Sequence, residues 1–300
     1  REMKILMVGV GGMLGEAFQD VFTTKGYDIQ CSDIDVNTSW LQKLDFRDYD
    51  EYRSAAMKFN PDFIFHIGAY TSLEYCELNP LDTYRTNTLS VEHAVTLSNE
   101  LDIPMLYIST AGIFDGEKPL YDDWDLPNPL GVYARSKYMG ERYVVENCRR
   151  YFICRAGWMM GGGPEKDKKY ISKIMKQIKA GAKILNVVDD RDGTPTYTLD
   201  FATTCEALIR TDYYGLYNMV CAGQTSRLEV TSEILSVLGM SNDIEIKSVN
   251  SDFFKAEYFA ARPISERLVN TKLGLRNLDL MRDWKVCVRE YLDARYSSYL

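Results

Sequence analysis

The residues best suited to chemistry are a threonine, a tyrosine and a lysine between residues 109 and 141. Tyr133 and Lys137 are four residues apart in a segment predicted to be helical, so their side chains lie on one helix face. A free tyrosine has a pKa of about 10, and a nearby ammonium that stabilises the phenolate would lower it towards neutral pH. Thr110 follows a strand predicted for residues 105–108, and its hydroxyl would hold a carbonyl beside the pair. These side chains predict a proton-transfer site, although Tyr-x-x-x-Lys alone is also common on solvated helices.

A glycine-rich turn follows the first predicted strand. Residues 4–8 form an apolar run typical of a strand buried on both faces, and a helical pattern of apolar residues follows the turn. Three of the four glycines between them, Gly9, Gly12 and Gly15, have GxxGxxG spacing. The first permits the turn, the second lets a pyrophosphate approach the backbone, and the third lets helix and strand pack closely. This context predicts a dinucleotide site rather than a merely tight turn. The residues assigned to it are Gly9, Gly12, Met13, Leu14 and Gly15.

An acidic residue ends the second predicted strand, residues 28–32. Asp33 lies near the offset at which a carboxylate accepts hydrogen bonds from the adenosine ribose of a dinucleotide. Asp35 is the alternative ribose ligand, with Asp33 then a turn residue. A carboxylate repels a 2′-phosphate, and no arginine follows before Arg47. The sequence therefore favours NAD(H), with NADP(H) as the alternative.

Two further stretches are predicted to line the same cofactor. Asp45 and Phe46 could meet the adenine, or Asp45 could instead be the N-cap of the helix that follows. A third buried strand, residues 63–68, ends in a segment that would lie over the middle of the cofactor, namely Gly68, Ala69 and Tyr70. His66 lies inside that apolar strand and is predicted to be a hydrogen-bonded core histidine rather than a catalyst.

Composition limits the classes of partner. The chain has 300 residues, 46% hydrophobic and 26% charged, as in ordinary globular proteins of one or two domains. The net charge of −8 and the lack of a basic run make nucleic acid an unsuitable partner. Seven widely spaced cysteines without CxxC, and only two histidines, indicate reduced intracellular thiols and no metal site. No apolar run is long enough to span a membrane, so we expect a cytoplasmic protein.

Strands and helical segments alternate over residues 4–109, which predicts an α/β fold with a doubly wound, Rossmann-type parallel sheet. A smaller C-terminal lobe would bind the substrate. We expect the dinucleotide-binding domain to comprise residues 1–156 and about 195–222. Residues 157–194 and 223–300 would form the substrate-binding lobe.

The second half of the chain contains strands predicted for residues 151–155, 183–188 and 215–220, and a turn at residues 192–197. Lysines concentrate between residues 166 and 183. They are most simply the solvated face of an amphipathic helix, and contacts to the diphosphate of a ligand are the alternative. Ser226 and Glu229 have capping-box spacing, which predicts a helix start.

Together these segments resemble the extended short-chain dehydrogenase/reductases, and more narrowly the reductases that make dTDP-rhamnose from dTDP-4-dehydrorhamnose. Several motifs carry the likeness in the same order along nearly the whole chain: GVGGMLG at 9–15, HIGAYTSLEYCE at 66–77, STAGIFDG at 109–116, NPLGVYARSKYMGE at 128–141, RAGWMMG at 155–161, DDRDGTPTYTLDFA at 189–202 and ARPISERL at 261–268.

The resemblance implies that Thr110, Tyr133 and Lys137 are catalytic in the reduction of a nucleotide-activated 4-keto-6-deoxy sugar. A nicotinamide would deliver hydride to C4, Tyr133 would protonate the oxygen, and Lys137 would also bind the nicotinamide ribose. The implied partner is a nucleotide sugar, and a homodimer is compatible with it. The further site residues are Asn87 for the cofactor and Thr71, Trp158 and Arg262 for the substrate. A core tryptophan is the alternative for Trp158, and an ordinary surface arginine is the alternative for Arg262.

The chain departs from the family directly after Thr110. Those reductases carry Asp-Tyr where this chain has Ala111 and Gly112, which removes two groups that would face the sugar. The same gap argues against a 4,6-dehydratase. A sugar-nucleotide 4-epimerase on the same fold is the runner-up, because it shares the Thr/Tyr/Lys set. A non-catalytic regulatory subunit, like the β subunit of methionine adenosyltransferase, is the alternative from another class.

Overall fold

The computed structural model describes residues 2–300, in which strands and helices alternate along the first two thirds of the chain. The strands are β1 (Lys4–Val8), β2 (Asp28–Asp33), β3 (Leu41–Lys43), β4 (Phe63–His66), β5 (Met105–Thr110), β6 (Tyr151–Ala156), β7 (Trp158–Met160), β8 (Ile184–Val188), β9 (Asp192–Gly193), β10 (Pro195–Tyr197), β11 (Gly215–Asn218), β12 (Thr225–Ser226) and β13 (Glu245–Val249). The helices are α1 (Gly15–Thr24), α2 (Tyr49–Phe59), α3 (Leu73–Leu78), α4 (Pro80–Tyr84), α5 (Ser90–Leu101), α6 (Val132–Asn147), α7 (Gly163–Lys166), α8 (Tyr170–Lys179), α9 (Thr198–Ile209), α10 (Arg227–Leu238), α11 (Thr271–Leu275) and α12 (Trp284–Arg295).

Seven strands form one parallel sheet in the order β11-β6-β5-β4-β1-β2-β3. The chain moves outward from β1 through β2 to β3, then crosses back to β4 and continues outward on the other side. The order therefore reverses between β1 and β4, which is where open α/β sheets bind ligands beyond the carboxyl ends of their strands. The predicted doubly wound α/β fold is confirmed.

Both faces of the sheet are covered, because alternate residues of each strand point to opposite sides. From β1, Ile5 and Met7 pack into a cluster with α1 and α9, whereas Leu6 and Val8 pack into a cluster with α2, α5 and α6. The continuous apolar run that the sequence shows at residues 4–8 is explained by this burial on two sides.

A separate apolar cluster lies in the second half of the chain. It is formed mainly by α8, α10 and α12 against β8, which pairs in parallel with β13. Tyr197 and Cys221, which the sequence assigns to the first domain, also pack into it. The domain boundaries therefore stay a prediction.

Three local predictions differ from the structure. Strand β3 has no counterpart in the sequence analysis, because its three residues carry too short a pattern. The apolar pattern does not predict the π-helical turn at Arg85–Leu89, which lies between α4 and α5. The segment at residues 192–197 contains β9 and β10 rather than a turn alone. Among residues 2–300, no helix has the length and hydropathy that a membrane crossing requires.

Candidate functional site

The glycine turn between β1 and α1 has the geometry that a dinucleotide requires. Gly9 has a φ of 76°, and a Cβ there would lie 2.2 Å from the Cα of Gly68 at the end of β4. A Cβ on Gly15 would lie 1.6 Å from the Val10 carbonyl oxygen, so only glycine lets α1 pack this close to the turn. A Cβ on Gly12 would meet no atom within 4 Å. The turn is thus tight where strand and helix meet and open where a pyrophosphate would approach, so its residues fit the group.

Asp33 ends β2 beside this turn. Its carboxylate accepts hydrogen bonds from the backbone N–H of Gly11 at 2.8 Å and of Asp35 at 3.0 Å. The Asp35 side chain is exposed and contacts Asn37. Of the two aspartates, Asp33 is the one directed at the glycine turn, as expected for a ribose ligand.

Asp45 is paired with an arginine, and its contact with the adenine stays a prediction. The Arg47 guanidinium donates two hydrogen bonds to its carboxylate, at 2.9 and 3.0 Å, and this pairing lowers the pKa of Asp45. The N-cap of α2 is Asp48, whose carboxylate accepts from the Glu51 N–H. The prediction that Asp45 caps this helix is therefore wrong, because the helix begins three residues later than that role requires.

The Phe46 ring packs beside Gly9 of the glycine turn and Gly68 at the end of β4. A Cβ on Gly68 would be 2.6 Å from its ring, and the ring also packs on His66 with centroids 4.9 Å apart. His66 is hydrogen-bonded through both nitrogens, to Tyr52 at 3.0 Å and Ser90 at 2.9 Å. Burial lowers its pKa to about 3, so it is a neutral core residue, as predicted.

Asn87 sits in the π-helical turn and holds the loop after β4. Its side chain accepts from the Tyr70 N–H at 2.8 Å, and it donates to the Tyr70 carbonyl and to Ser136 at 3.1 Å. The extra residue of a π-turn directs such a side chain inward. Asn87 thus holds the segment Gly68–Ala69–Tyr70 in place through its hydrogen bonds to Tyr70. Thr71, the next residue of the chain, is exposed.

Thr110 and Tyr133 meet at the carboxyl end of β5. Helix α6 begins at Val132, whose N–H donates to the Glu77 carboxylate at 2.6 Å, so that Tyr133 lies in the first turn. Burial raises the pKa of Tyr133 to about 12, and a hydrogen-bonding interaction with Thr110 opposes that rise. Tyr133 is therefore a protonated phenol at neutral pH, next to a hydroxyl.

Lys137 lies one turn further along α6 but is directed elsewhere. Its ammonium donates to the Ile108 carbonyl at 2.7 Å and lies 4.6 Å from the centre of the Tyr107 ring. Burial lowers its pKa to about 7. The expectation that Lys137 lowers the pKa of Tyr133 is not met in this structure, because desolvation of the phenol dominates.

Gly112 borders this pair directly. A Cβ there would lie 3.4 Å from the Thr110 hydroxyl oxygen and 3.9 Å from the Tyr133 ring. Ala111, in contrast, is fully buried in an apolar cluster with Ile113 and Phe114. Of the two positions at which the chain departs from the family motif, only Gly112 borders Thr110 and Tyr133.

Across from α6, the second half of the chain contributes an aromatic and cationic cluster. The guanidinium of Arg227 lies between two rings, 3.8 Å from the centre of Trp158 and 4.3 Å from that of Tyr170. Trp158 interacts with the carboxyl of Glu266, whose pKa is raised by burial, and this carboxyl in turn raises the pKa of Tyr133. Trp158 therefore faces the same space as the phenol.

Arg262 is held by an acidic partner. Its guanidinium makes two hydrogen bonds to Glu74, at 2.6 and 2.8 Å, and stacks on Tyr258. Lys169 lies in the same neighbourhood, and burial together with nearby cations lowers its pKa to about 8. Lys169 and Arg227 are therefore better placed than Arg262 to receive an added anion.

Sequence reasoning missed Glu266 and Arg227. Glu266 directly follows the RPIS segment at residues 262–265, and Arg227 directly follows the helix N-cap Ser226. Ser226 does cap α10, by accepting from the Glu229 N–H at 3.2 Å. The local pattern does not predict that Arg227 lies between Trp158 and Tyr170, because this contact depends on how α10 packs.

Comparisons with known proteins agree with this geometry. The chain matches the family described as RmlD substrate binding domain over residues 3–297. The chain belongs to this family. An RmlD relative, the dTDP-4-dehydrorhamnose reductase of Aggregatibacter actinomycetemcomitans, is 30% identical over 94% of this chain and 97% of its own length. Methionine adenosyltransferase 2 subunit beta of Danio rerio is 26% identical over 92% of this chain and 86% of its own length. The solved structure of dTDP-4-dehydrorhamnose reductase from Bacillus anthracis, in complex with NADP, superposes with a TM-score of 0.88 at 26% identity, covering 98% of this chain and 100% of that chain.

Proposed function

We propose that this RmlD-family protein is an oxidoreductase that reduces the C4 ketone of a nucleotide-activated 4-keto-6-deoxy sugar with a nicotinamide cofactor. The observation that carries the proposal is the protonated Tyr133 phenol beside Thr110 at the carboxyl end of β5. The open glycine turn after β1 lies at the same edge of the parallel sheet. The reductases among its relatives support the substrate class.

The proposed roles follow from the positions of the side chains. A bound reduced nicotinamide supplies the hydride. Thr110 donates a hydrogen bond to the ketone oxygen, and Tyr133 gives its proton to that oxygen as negative charge develops. A phenol with its pKa raised to about 12 by burial is fully protonated before the reaction, as a proton donor must be. Lys137 would bind the nicotinamide ribose from its place one turn further along α6.

For the cofactor, the proposal places the pyrophosphate at Gly12 and the adenosine ribose at Asp33. The open space at Gly12 and the orientation of Asp33 toward the turn support both contacts. Asp33 taken alone favours NAD(H), because a carboxylate repels a 2′-phosphate.

For the substrate, the proposal divides the chain as the sequence does, with residues 157–194 and 223–300 forming the substrate-binding lobe. Arg227 and Lys169 would bind the diphosphate, because both are cations in a partly desolvated setting. Trp158 and Glu266 would face the sugar. Gly112 has no side chain, so it leaves space beside the reacting carbon. In the family motif a larger side chain occupies that space.

The test is oxidation of NADH and NADPH in the presence of dTDP-, GDP-, CDP- and UDP-activated 4-keto sugars. We expect net cofactor consumption with at least one of them, and a loss of about 10²-fold or more in kcat for Tyr133→Phe without loss of cofactor binding. Hydride exchange without net consumption would instead establish a 4-epimerase. Cofactor binding with no turnover of any sugar, and a biological role that survives Tyr133→Phe, would establish a regulatory subunit.

A further inference from the structure

A short segment of the second half of the chain lies directly over the glycine turn. The Lys166 ammonium, at the end of α7, donates to the Gly11 carbonyl at 2.8 Å and to the side-chain oxygen of Asn37. Asn37 itself donates to the Gly11 carbonyl at 3.1 Å and to the Asp35 carboxylate at 3.4 Å. Lys166 is therefore held by neutral oxygens, and no carboxylate within residues 2–300 forms an ion pair with it. Its charge remains available to a ligand.

The segment that carries Lys166 is fixed in place from two sides. Arg295 of α12 donates to the Gly162 carbonyl at 2.9 Å and pairs with Glu16, in the first turn of α1. The Gly163 N–H donates to the Tyr291 hydroxyl at 3.0 Å. The backbone that carries Lys166 is thus held in place, so little backbone conformational entropy is lost in this segment when Lys166 binds a ligand.

This ammonium lies at the ribose end of the turn. Gly11, which accepts from Lys166 through its carbonyl, donates through its N–H to Asp33. Both oxygens of Asp33 are already engaged by backbone N–H groups, which reduces its repulsion of a nearby anion. The Lys166 ammonium, the Asn37 amide and two carboxylates, hydrogen-bonded Asp33 and exposed Asp35, therefore surround the place where an adenosine ribose meets the end of β2.

We propose that Lys166 and Asn37 form a binding site for the 2′-phosphate of NADP(H), so that the chain accepts NADP(H) despite Asp33. A phosphate monoester carries nearly two negative charges near neutral pH and prefers charge-assisted hydrogen bonds to neutral ones. Lys166 now donates to two neutral oxygens, and a hydrogen bond from its ammonium to a phosphate dianion is stronger than either of these. The proposal rests on the nicotinamide cofactor of the proposed function, but not on its sugar substrate.

The experiment compares two ligands that differ only by the 2′-phosphate, adenosine 2′,5′-bisphosphate and 5′-AMP, by calorimetric titration of the full chain. We expect Lys166→Gln to weaken the bisphosphate by about tenfold or more and to change 5′-AMP by less than about twofold. Lys166→Arg should restore most of the difference, and NADPH against NADH should repeat the pattern. Lys168→Gln, an exposed lysine of the same segment, is the matched control and should leave both affinities unchanged.

Three results would overturn the proposal: equal weakening of both ligands, which would mean that Lys166 only holds the turn; no weakening of either; or a wild-type chain that binds the bisphosphate no more tightly than 5′-AMP. Unchanged melting temperatures would exclude misfolding as the cause of a loss. These titrations contain no sugar. A failure to reduce any nucleotide sugar would therefore overturn the proposed function and leave the result on 2′-phosphate binding unaffected.

Discussion

Burial moves both titratable side chains of the proposed catalytic set towards their neutral forms. It raises the pKa of Tyr133 to about 12 and lowers that of Lys137 to about 7. The two residues are on one helix face, yet the lysine is directed to the Ile108 carbonyl rather than to the phenol. At neutral pH the phenol is therefore the fixed proton donor, and Lys137 is the group whose charge changes.

The residue that sets the pH dependence should accordingly be Lys137. As pH rises through about 7 its ammonium loses the proton, and with it a charged hydrogen-bond donor. We expect kcat/KM for the cofactor, which reports the groups of the free protein, to fall above pH of about 7. Lys137→Arg keeps its charge and should remove this fall, even if its absolute rate is lower. A profile that breaks at the same pH in both proteins would assign the titration to another group.

At the scale of elements, α6 carries three functional side chains at successive positions four residues apart: Tyr133, Lys137 and Glu141. Glu141 is buried and accepts from Arg155 of β6, at 2.5 and 3.1 Å, and from Ser109 of β5 at 2.6 Å. The carboxylate also counteracts the lowering of the pKa of Lys137. These contacts join the helix to β6 and to β5, the strand that ends in Thr110.

Removing one member of this pair should be costly. Glu141→Gln leaves the Arg155 guanidinium buried without a counter-charge, and one of its nitrogens already lacks an acceptor. We expect the free energy of unfolding in urea to fall by about 3–5 kcal/mol, whereas the double variant Glu141→Leu with Arg155→Met should recover most of the loss.

The control for this cycle is on the same helix. Arg142 pairs with Glu146 at the surface, and Arg142→Gln should change stability by less than about 1 kcal/mol. The matched single variants are Glu141→Leu and Arg155→Met. A double variant that loses as much stability as these two singles together would show that the side chains act separately, contrary to the expectation.

These elements also show what a sequence can predict. The turn at Gly9–Gly15, Asp33 after β2 and the Tyr133/Lys137 pair are readable because each depends on spacing within one strand–helix unit. The pairing of Asp45 with Arg47 is not predictable in this way, because the sequence does not reveal that the arginine side chain lies against the carboxylate. Lys166, Arg227 and Glu266 reach the site only through packing of the second half of the chain against the first, which no local period encodes.

At the scale of the whole molecule, net charge and local charge oppose each other. The chain carries −8, which disfavours the approach of a doubly charged nucleotide sugar. The proposed substrate side compensates with cations in a desolvated setting, where Coulomb interactions are stronger than in water. Arg227 is central to it, because its guanidinium is stacked between Trp158 and Tyr170.

Arg227 should therefore govern nucleotide affinity. We expect Arg227→Gln to raise the Kd of a nucleoside diphosphate by about tenfold or more and to flatten its dependence on salt, with cofactor affinity unchanged. Arg227→Lys keeps the charge but loses the planar stack, so it should recover the salt dependence and only part of the affinity. Arg142→Gln, a surface arginine paired with Glu146, is the matched control. Equal losses for nucleoside diphosphate and cofactor would mean that Arg227 supports the packing of the two halves of the chain, since a direct ligand contact would affect only the nucleotide that it touches.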